Sequence, residues 1–261
     1  MKGMIGKKVG MTQVFDEQGN VIPVTVIEAG PCYVTQVRSD DRDGYKAVQL
    51  GFGEGKPARL TKGQLGHLQK NNLPALKVLR EFRVWGEDAV DVEEGAEIKV
   101  DVFATGELVD VTGTSKGRGF AGTIKRHHIN RQLKTHGQSD RERAVGAIGN
   151  RTTPGRVWKG KRMPGHYGTD NLSIRNLVVL HIDNETQEVW LSGPIPGHIF
   201  STIRIEKTGQ KKAVVLNEKA SGIVIKPALA ASEVAADSVV TDASDDVTAT
   251  QVADTTETTN A

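Results

Sequence analysis

One internal stretch of this chain concentrates the side chains that handle phosphate. Residues 113–169 hold thirteen Lys and Arg, four His and eleven Gly against two carboxylates, Asp140 and Glu142, for a net charge of +11. Glycine lets a backbone approach a ligand closely, while lysine and arginine supply contacts to phosphate oxygens. Phe120, Trp158 and Tyr167 lie among the cations and can stack on unpaired bases. So many like charges repel one another in a free protein. Against RNA phosphates the same charges release counterions and become favourable. A solvated linker rarely combines thirteen cations with three aromatics. The chemistry indicated is therefore recognition of a polyanion.

Three narrower chemistries compete for the same residues, and each lacks a part. Gly117-Arg118-Gly119-Phe120-Ala121-Gly122 satisfies the G-x-G-x-x-G spacing of dinucleotide sites. That motif needs a strand before it and a helix after it in a βαβ unit, and no strand–helix alternation follows here. Gly155-Arg156-Val157-Trp158-Lys159-Gly160-Lys161-Arg162 nearly matches a P-loop, but Arg162 stands where Ser or Thr should hold magnesium. His127, His128, His136 and His166 have no cysteine pair beside them, which disfavours zinc. Cys32, the single cysteine, opens a strand-like pattern and reads as a small buried hydrophobe rather than a nucleophile. No Ser/His/Asp arrangement or paired-carboxylate site is indicated. The runner-up function is thus an RNA-associated enzyme with a nucleotide or phosphate site in the glycine-rich segment. It needs a magnesium-holding group beside the glycines, and none is present. No cofactor, metal or small-molecule substrate is expected.

The rest of the chain must position that segment. With 261 residues and 37% hydrophobic composition it is long enough for a substantial core. No apolar run reaches the length of a membrane span, and the first residues lack the apolar stretch of a secretory signal. One cysteine cannot form an internal disulfide, which points to a reducing, cytoplasmic setting. Outside 113–169 the pattern is β. Alternating or β-branched runs occur at 11–15, 21–27, 33–37, 45–52, 97–102 and 108–112, then at 174–182, 187–191, 202–205, 213–216 and 222–226. Trp85 and Trp190 fall in strand-like patterns and are assigned to the core. A short helix is expected near 62–72, stopped by Pro74. Many short strands argue for a barrel or sandwich, interrupted by 113–169 as an insertion. Residues 228–261 contain seven acids and no Lys or Arg, so 1–227 carries +9 and the tail −7, giving the chain's net +2. Their composition predicts a disordered acidic tail. It is either an inert appendage or an anionic mimic that limits non-specific RNA binding.

Three long motifs, in order, give a resemblance. Gly3-Met4-Ile5-Gly6-Lys7-Lys8-Val9-Gly10-Met11-Thr12-Gln13-Val14-Phe15, the run Gly113–Gly122 into His127, and Thr153-Pro154-Gly155-Arg156-Val157-Trp158-Lys159-Gly160-Lys161-Arg162-Met163-Pro164-Gly165-His166-Tyr167-Gly168 resemble large-subunit ribosomal protein three, the universal L-three family, in its bacterial form. The resemblance covers about residues 1–227. It implies a mostly β fold: a translation-protein-type β-barrel over 1–112 and 170–227, with a small α-containing part near 58–95. It implies a basic internal extension over 113–169 that threads through rRNA towards the peptidyl transferase centre. It implies binding to the 3′-terminal region of the large rRNA, a role in early subunit assembly, and no catalysis. The implied partners are large-subunit rRNA and neighbouring ribosomal proteins, fourteen and nineteen among them, in the cytoplasmic ribosome. Carried onto this sequence, the RNA contacts are Lys7, Lys8, Lys116, Arg118, Lys125, Arg126, His127, Arg131, Lys134, His136, Arg141, Arg143, Arg151, Arg156, Trp158, Lys159, Lys161, Arg162 and His166. The tip is Gly149, Asn150, Arg151 and Thr152. Some members carry a methylated glutamine there; Asn150 in this chain removes that expectation.

Overall fold

In a computed structural model, the structure describes residues 2–84, 92–212, 214, 216 and 217. The acidic tail 228–261, Trp85 and the expected strand at 222–226 lie outside the described residues.

Six strands close into an antiparallel barrel: β1 (Gly3–Phe15), β2 (Val21–Glu28), β7 (Glu107–Thr114), β10 (Asn171–Asp183), β11 (Glu188–Ser192) and β12 (Thr202–Lys211). Their order around the barrel is β1-β12-β7-β10-β11-β2, and β2 pairs back onto β1. Alternation makes the interior. Val109 and Val111 of β7, Val189 and Leu191 of β11, and Ile203 and Ile205 of β12 are buried, while their neighbours in sequence face outward. Each fully buried Val, Leu or Ile contributes about 1.5–3 kcal/mol. Trp190 departs from expectation. It is half-buried, stacked edge-on against His181 with ring centroids 5.7 Å apart, because Val189 and Leu191 take the inward positions of β11.

A four-stranded sheet, ordered β5-β4-β3-β6, packs against one end of β1. It comprises β3 (Cys32–Arg38), β4 (Ala47–Glu54), β5 (Leu76–Arg83) and β6 (Glu97–Ile98). Met4 and Ile5 share one hydrophobic cluster with Val34, Leu50 and Phe82, so the barrel and this sheet have a common core. Gly3 makes this possible: a Cβ there would come within 2.6 Å of the Phe82 ring. A one-turn helix α1 (Asp40–Asp43) joins β3 to β4. The expected helix forms as α2 (Lys62–Gln69), started by a capping box: Gln64 N donates to Thr61 Oγ1 at 3.3 Å and Thr61 N to Gln64 Oε1 at 3.1 Å. The region 58–95 also contains the strand β5, whose alternation buries Leu76 and Phe82. The strand expected over 97–102 is cut to Glu97–Ile98 and continues as a 3₁₀ turn at Val100–Val102. At 213–216, Leu216 makes a single bridge to Asp16.

Candidate nucleic-acid interface

The basic segment leaves the barrel at the end of β7 and returns at the start of β10. These ends are partners in one ladder, Thr114 opposite Asn171, so the insertion starts and finishes at the same point of the barrel wall. Its root is a neck of main-chain bonds. Ser115 N donates to Asp170 O at 2.9 Å and Arg118 N to Tyr167 O at 2.8 Å. Beyond it a short ribbon of β8 (Gly119–Ala121) and β9 (Gly165–Tyr167) keeps the two legs together. A five-residue helix, α3 (Thr123–His127), follows, ended by His128 in the left-handed conformation at φ 55°.

Past the ribbon the segment has almost no regular structure, and its charges face solvent. Lys116, Arg118, Lys125, Arg131, Lys134, His136, Arg141, Arg143, Arg151, Arg156, Lys159, Lys161, Arg162 and His166 are all exposed. Gly149, Asn150, Arg151 and Thr152 are exposed. Arg156 lies over the Trp158 ring at 5.2 Å and Arg118 over the Tyr167 ring at 5.0 Å. Trp158 is 59% exposed and Phe120 81%. Trp158 and Phe120 thus offer aromatic faces outward, and a guanidinium lies beside the Trp158 ring.

Not every expected contact residue faces outward. Lys8 is 7% exposed, and its ammonium donates to Ile195 O at 2.8 Å. Burial and the nearby charge of Lys116 push its pKa down. Its side chain ties the barrel wall to the loop after β11, so it is removed from the outward-facing set. Lys7 is committed to Glu28 at 3.2 Å and to the Phe200 ring at 4.9 Å. Arg126 and His127 are half-buried and both reach Met163 O, at 3.0 and 3.1 Å. They pin α3 to the returning leg. Arg131 pairs with Glu142 at 2.5 Å across the middle of the loop. The pins are what residue types alone miss. Gly165 is their faint signal, since a Cβ there would sit 2.5 Å from Arg126 Nη1.

The glycine motifs take no phosphate-cradling form. Gly117–Gly122 builds β8 and the cap of a five-residue helix, with Phe120 outward, and lies in no βαβ unit. Residues 155–162 are bends and a turn with no helix after them. Among the described residues, no three His, Cys, Asp or Glu side chains converge as metal ligands. The Cys32 thiol is buried, donates to Ile5 O at 3.3 Å, and has its pKa pushed up to about 12 by burial.

Comparison with known proteins gives a consistent answer. The family model described as ribosomal protein L3 matches residues 85–192. The chain is 52% identical over 197 residues to the large ribosomal subunit protein uL3 of Herpetosiphon aurantiacus, covering 76% of this chain and 92% of that one. The uL3 of Dehalococcoides mccartyi is 50% identical over 210 residues, covering 80% of this chain and all of its own. This chain belongs to the ribosomal protein L3 family. The uL3 of Brachyspira pilosicoli, at 49% identity over 212 residues and 96% of its length, agrees. An L3-family chain is a structural part of a ribonucleoprotein and not an enzyme.

Proposed function

We propose that this chain is a structural constituent of the large ribosomal subunit that binds large-subunit rRNA by two means. The barrel docks on folded RNA through shape and phosphate contacts, with little reading of base edges. The extension 113–169 threads between RNA strands, with its tip at Gly149–Thr152 directed towards the peptidyl transferase centre. Coupling of loop ordering to RNA binding lowers affinity per unit area but lets a thin element reach deep. Such a component supports early subunit assembly on the 3′-terminal rRNA region, beside ribosomal proteins such as fourteen and nineteen. The observation that carries this reading is the run of exposed cations in 113–169 with Glu142 as their single ion-pair partner among the described residues.

The test exploits the ladder. Because Thr114 faces Asn171, residues 115–170 can be replaced by a two-residue Asn-Gly turn without opening the barrel. Binding to a 3′-terminal large-rRNA fragment is measured against salt for both proteins. Six phosphates neutralised at ~0.7 each give a log–log slope of about −4. The full chain should reach that slope or exceed it, and the shortened one should lose most of it while its barrel stays folded. A shallow slope unaffected by the replacement defeats the proposal.

A further inference from the structure

Beside the root of the extension the barrel carries an open cleft of about 740 Å³. It is lined by the departing and returning legs, by the turn His198–Ser201 with the start of β12, and by Arg80 of β5. No lining residue is an acid. Arg80 and Lys116, both exposed, make no ion pair among the described residues. Arg204 is held by Glu206. The remaining lining is rich in hydroxyls and amides, Thr112, Thr114 and Asn171 among them.

One detail marks the cleft as a binding surface. Phe200 has φ 66°, a backbone region that residues with side chains avoid, yet its ring is 64% exposed. The turn enforces this: Phe200 N donates to Lys8 O at 2.7 Å and Lys8 N to Ser201 O at 3.1 Å. Strain that presents an apolar ring to water, with the Lys7 ammonium 4.9 Å from its centroid, is retained where the ring has something to meet. Ser201 is 8% exposed, and its hydroxyl has no hydrogen-bond partner among the described residues. That hydroxyl packs against Gly197, where a Cβ would overlap its oxygen, so it belongs to the turn and not to the open surface of the cleft.

We propose that this cleft is a second RNA site that seats an unpaired strand. Arg80 and Lys116 hold its phosphodiesters, the hydroxyl-rich wall meets ribose and phosphate oxygens, and one base stacks on Phe200. The inference rests on the rRNA-binding reading above. Unpaired cations, no lining acid and a cation-flanked aromatic face match RNA better than a protein surface. A duplex hides its bases, so the strand is unpaired.

The experiment uses the full chain and the 3′-terminal large-rRNA fragment, with an eight-nucleotide oligoadenylate as a simpler probe. Phe200→Ala and Phe200→Leu should each weaken binding by about 5- to 150-fold, and Phe200→Tyr should stay within about twofold. Arg80→Gln together with Lys116→Gln should make the salt slope shallower by about 1.4, at ~0.7 per phosphate. Melting temperatures monitor the fold, and the Leu and Tyr variants decide the matter should the Ala variant fail to fold. If Phe200→Leu binds as the parent does, or the double variant keeps the full slope, the cleft is not an RNA site and its apolar rim belongs to a protein neighbour. If the parent chain binds neither RNA, this inference and the rRNA reading fall together.

Discussion

Gly168 holds the extension's neck shut, and replacing it by alanine should spring the neck. The residue is buried with φ 80°. A Cβ there would overlap the Lys116 carbonyl oxygen and lie 2.9 Å from Gly117 Cα and 3.0 Å from Arg118 N. All three obstacles are backbone, so no side chain can swing aside. The left-handed conformation alone costs about 1 kcal/mol for alanine. Overpacking against a fixed wall adds about 1–3 kcal/mol. The sum, about 2–4 kcal/mol, exceeds what the neck's bonds from Ser115 N and Arg118 N return at about 0.5–1.5 kcal/mol each. The neck should therefore open locally rather than the barrel unfold.

Gly160 is the control. Its φ is 79°, nearly the same, but nothing lies within 4 Å of a Cβ placed there. Gly160→Ala carries the conformational cost without the collision. Native-state amide exchange of Ser115 and Arg118 reads the difference. Gly168→Ala should speed both amides by about 30- to 1,000-fold, the equivalent of 2–4 kcal/mol at about 1.4 kcal/mol per decade. Gly160→Ala should leave them within about threefold. Equal exchange in the two variants would refute the argument, because the collision at Gly168 would then not open the neck.

Three other outcomes follow from the structure. Burial holds the Cys32 thiol protonated up to about pH 12 against an ordinary value near 9; its folded pKa is raised, so its contribution is intact below pH 9 and is lost above it, by about 1.4 kcal/mol at pH 10. Denaturant midpoints of Cys32→Ala measured from pH 8 to 10 should lack this alkaline decline, and a parent chain without the decline disproves the assignment. Leu191→Ala, at a fully buried barrel position, should cost about 2–5 kcal/mol by urea unfolding, while the protein that remains folded binds RNA as before; a loss under 1 kcal/mol means that the barrel interior is not the core. Glu142→Gln should change the melting temperature little, because its partner Arg131 is largely exposed and the pair is screened by solvent. It should release Arg131 for phosphate and steepen the salt slope of RNA binding by about 0.7; an unchanged or shallower slope says that Arg131 never meets a phosphate.

The sequence announces most of the barrel because its strands obey a two-residue period. In β7, Val109 and Val111 alternate with Leu108, Asp110 and Thr112, and that pattern alone fixes which face is inside. Helix α2 is equally plain, since Thr61 and Gln64 stand at capping-box spacing. β1 is harder. Its first four residues are buried on both faces because a second sheet covers them, and a bulge between Lys8 and Gly10 shifts the register. Lys8, ahead of that bulge, follows Met4 and Gly6 onto a buried face, although a lysine beside another lysine reads as solvent-facing. The location of the basic surface was legible from charge alone. The division of labour within it was not, because Arg126 and His127 reach a carbonyl more than thirty positions away. Side chain to main-chain bonds over that distance leave no pattern in composition. The Phe200 cleft escaped for the same reason: its parts come from β5, β7, β10 and β12, and they meet only when the barrel closes.

The strand order has a consequence for how the chain is made. β1 lies between β2 and β12, with Gly3 opposite Glu206. Synthesis at about 5–20 residues per second leaves β1 waiting about 10–40 s for its second neighbour. For the last part of that interval residues 113–169 are already polymerised while the wall that anchors them is still open. A cell making this protein thus displays the cationic arm before the barrel wall behind it has closed.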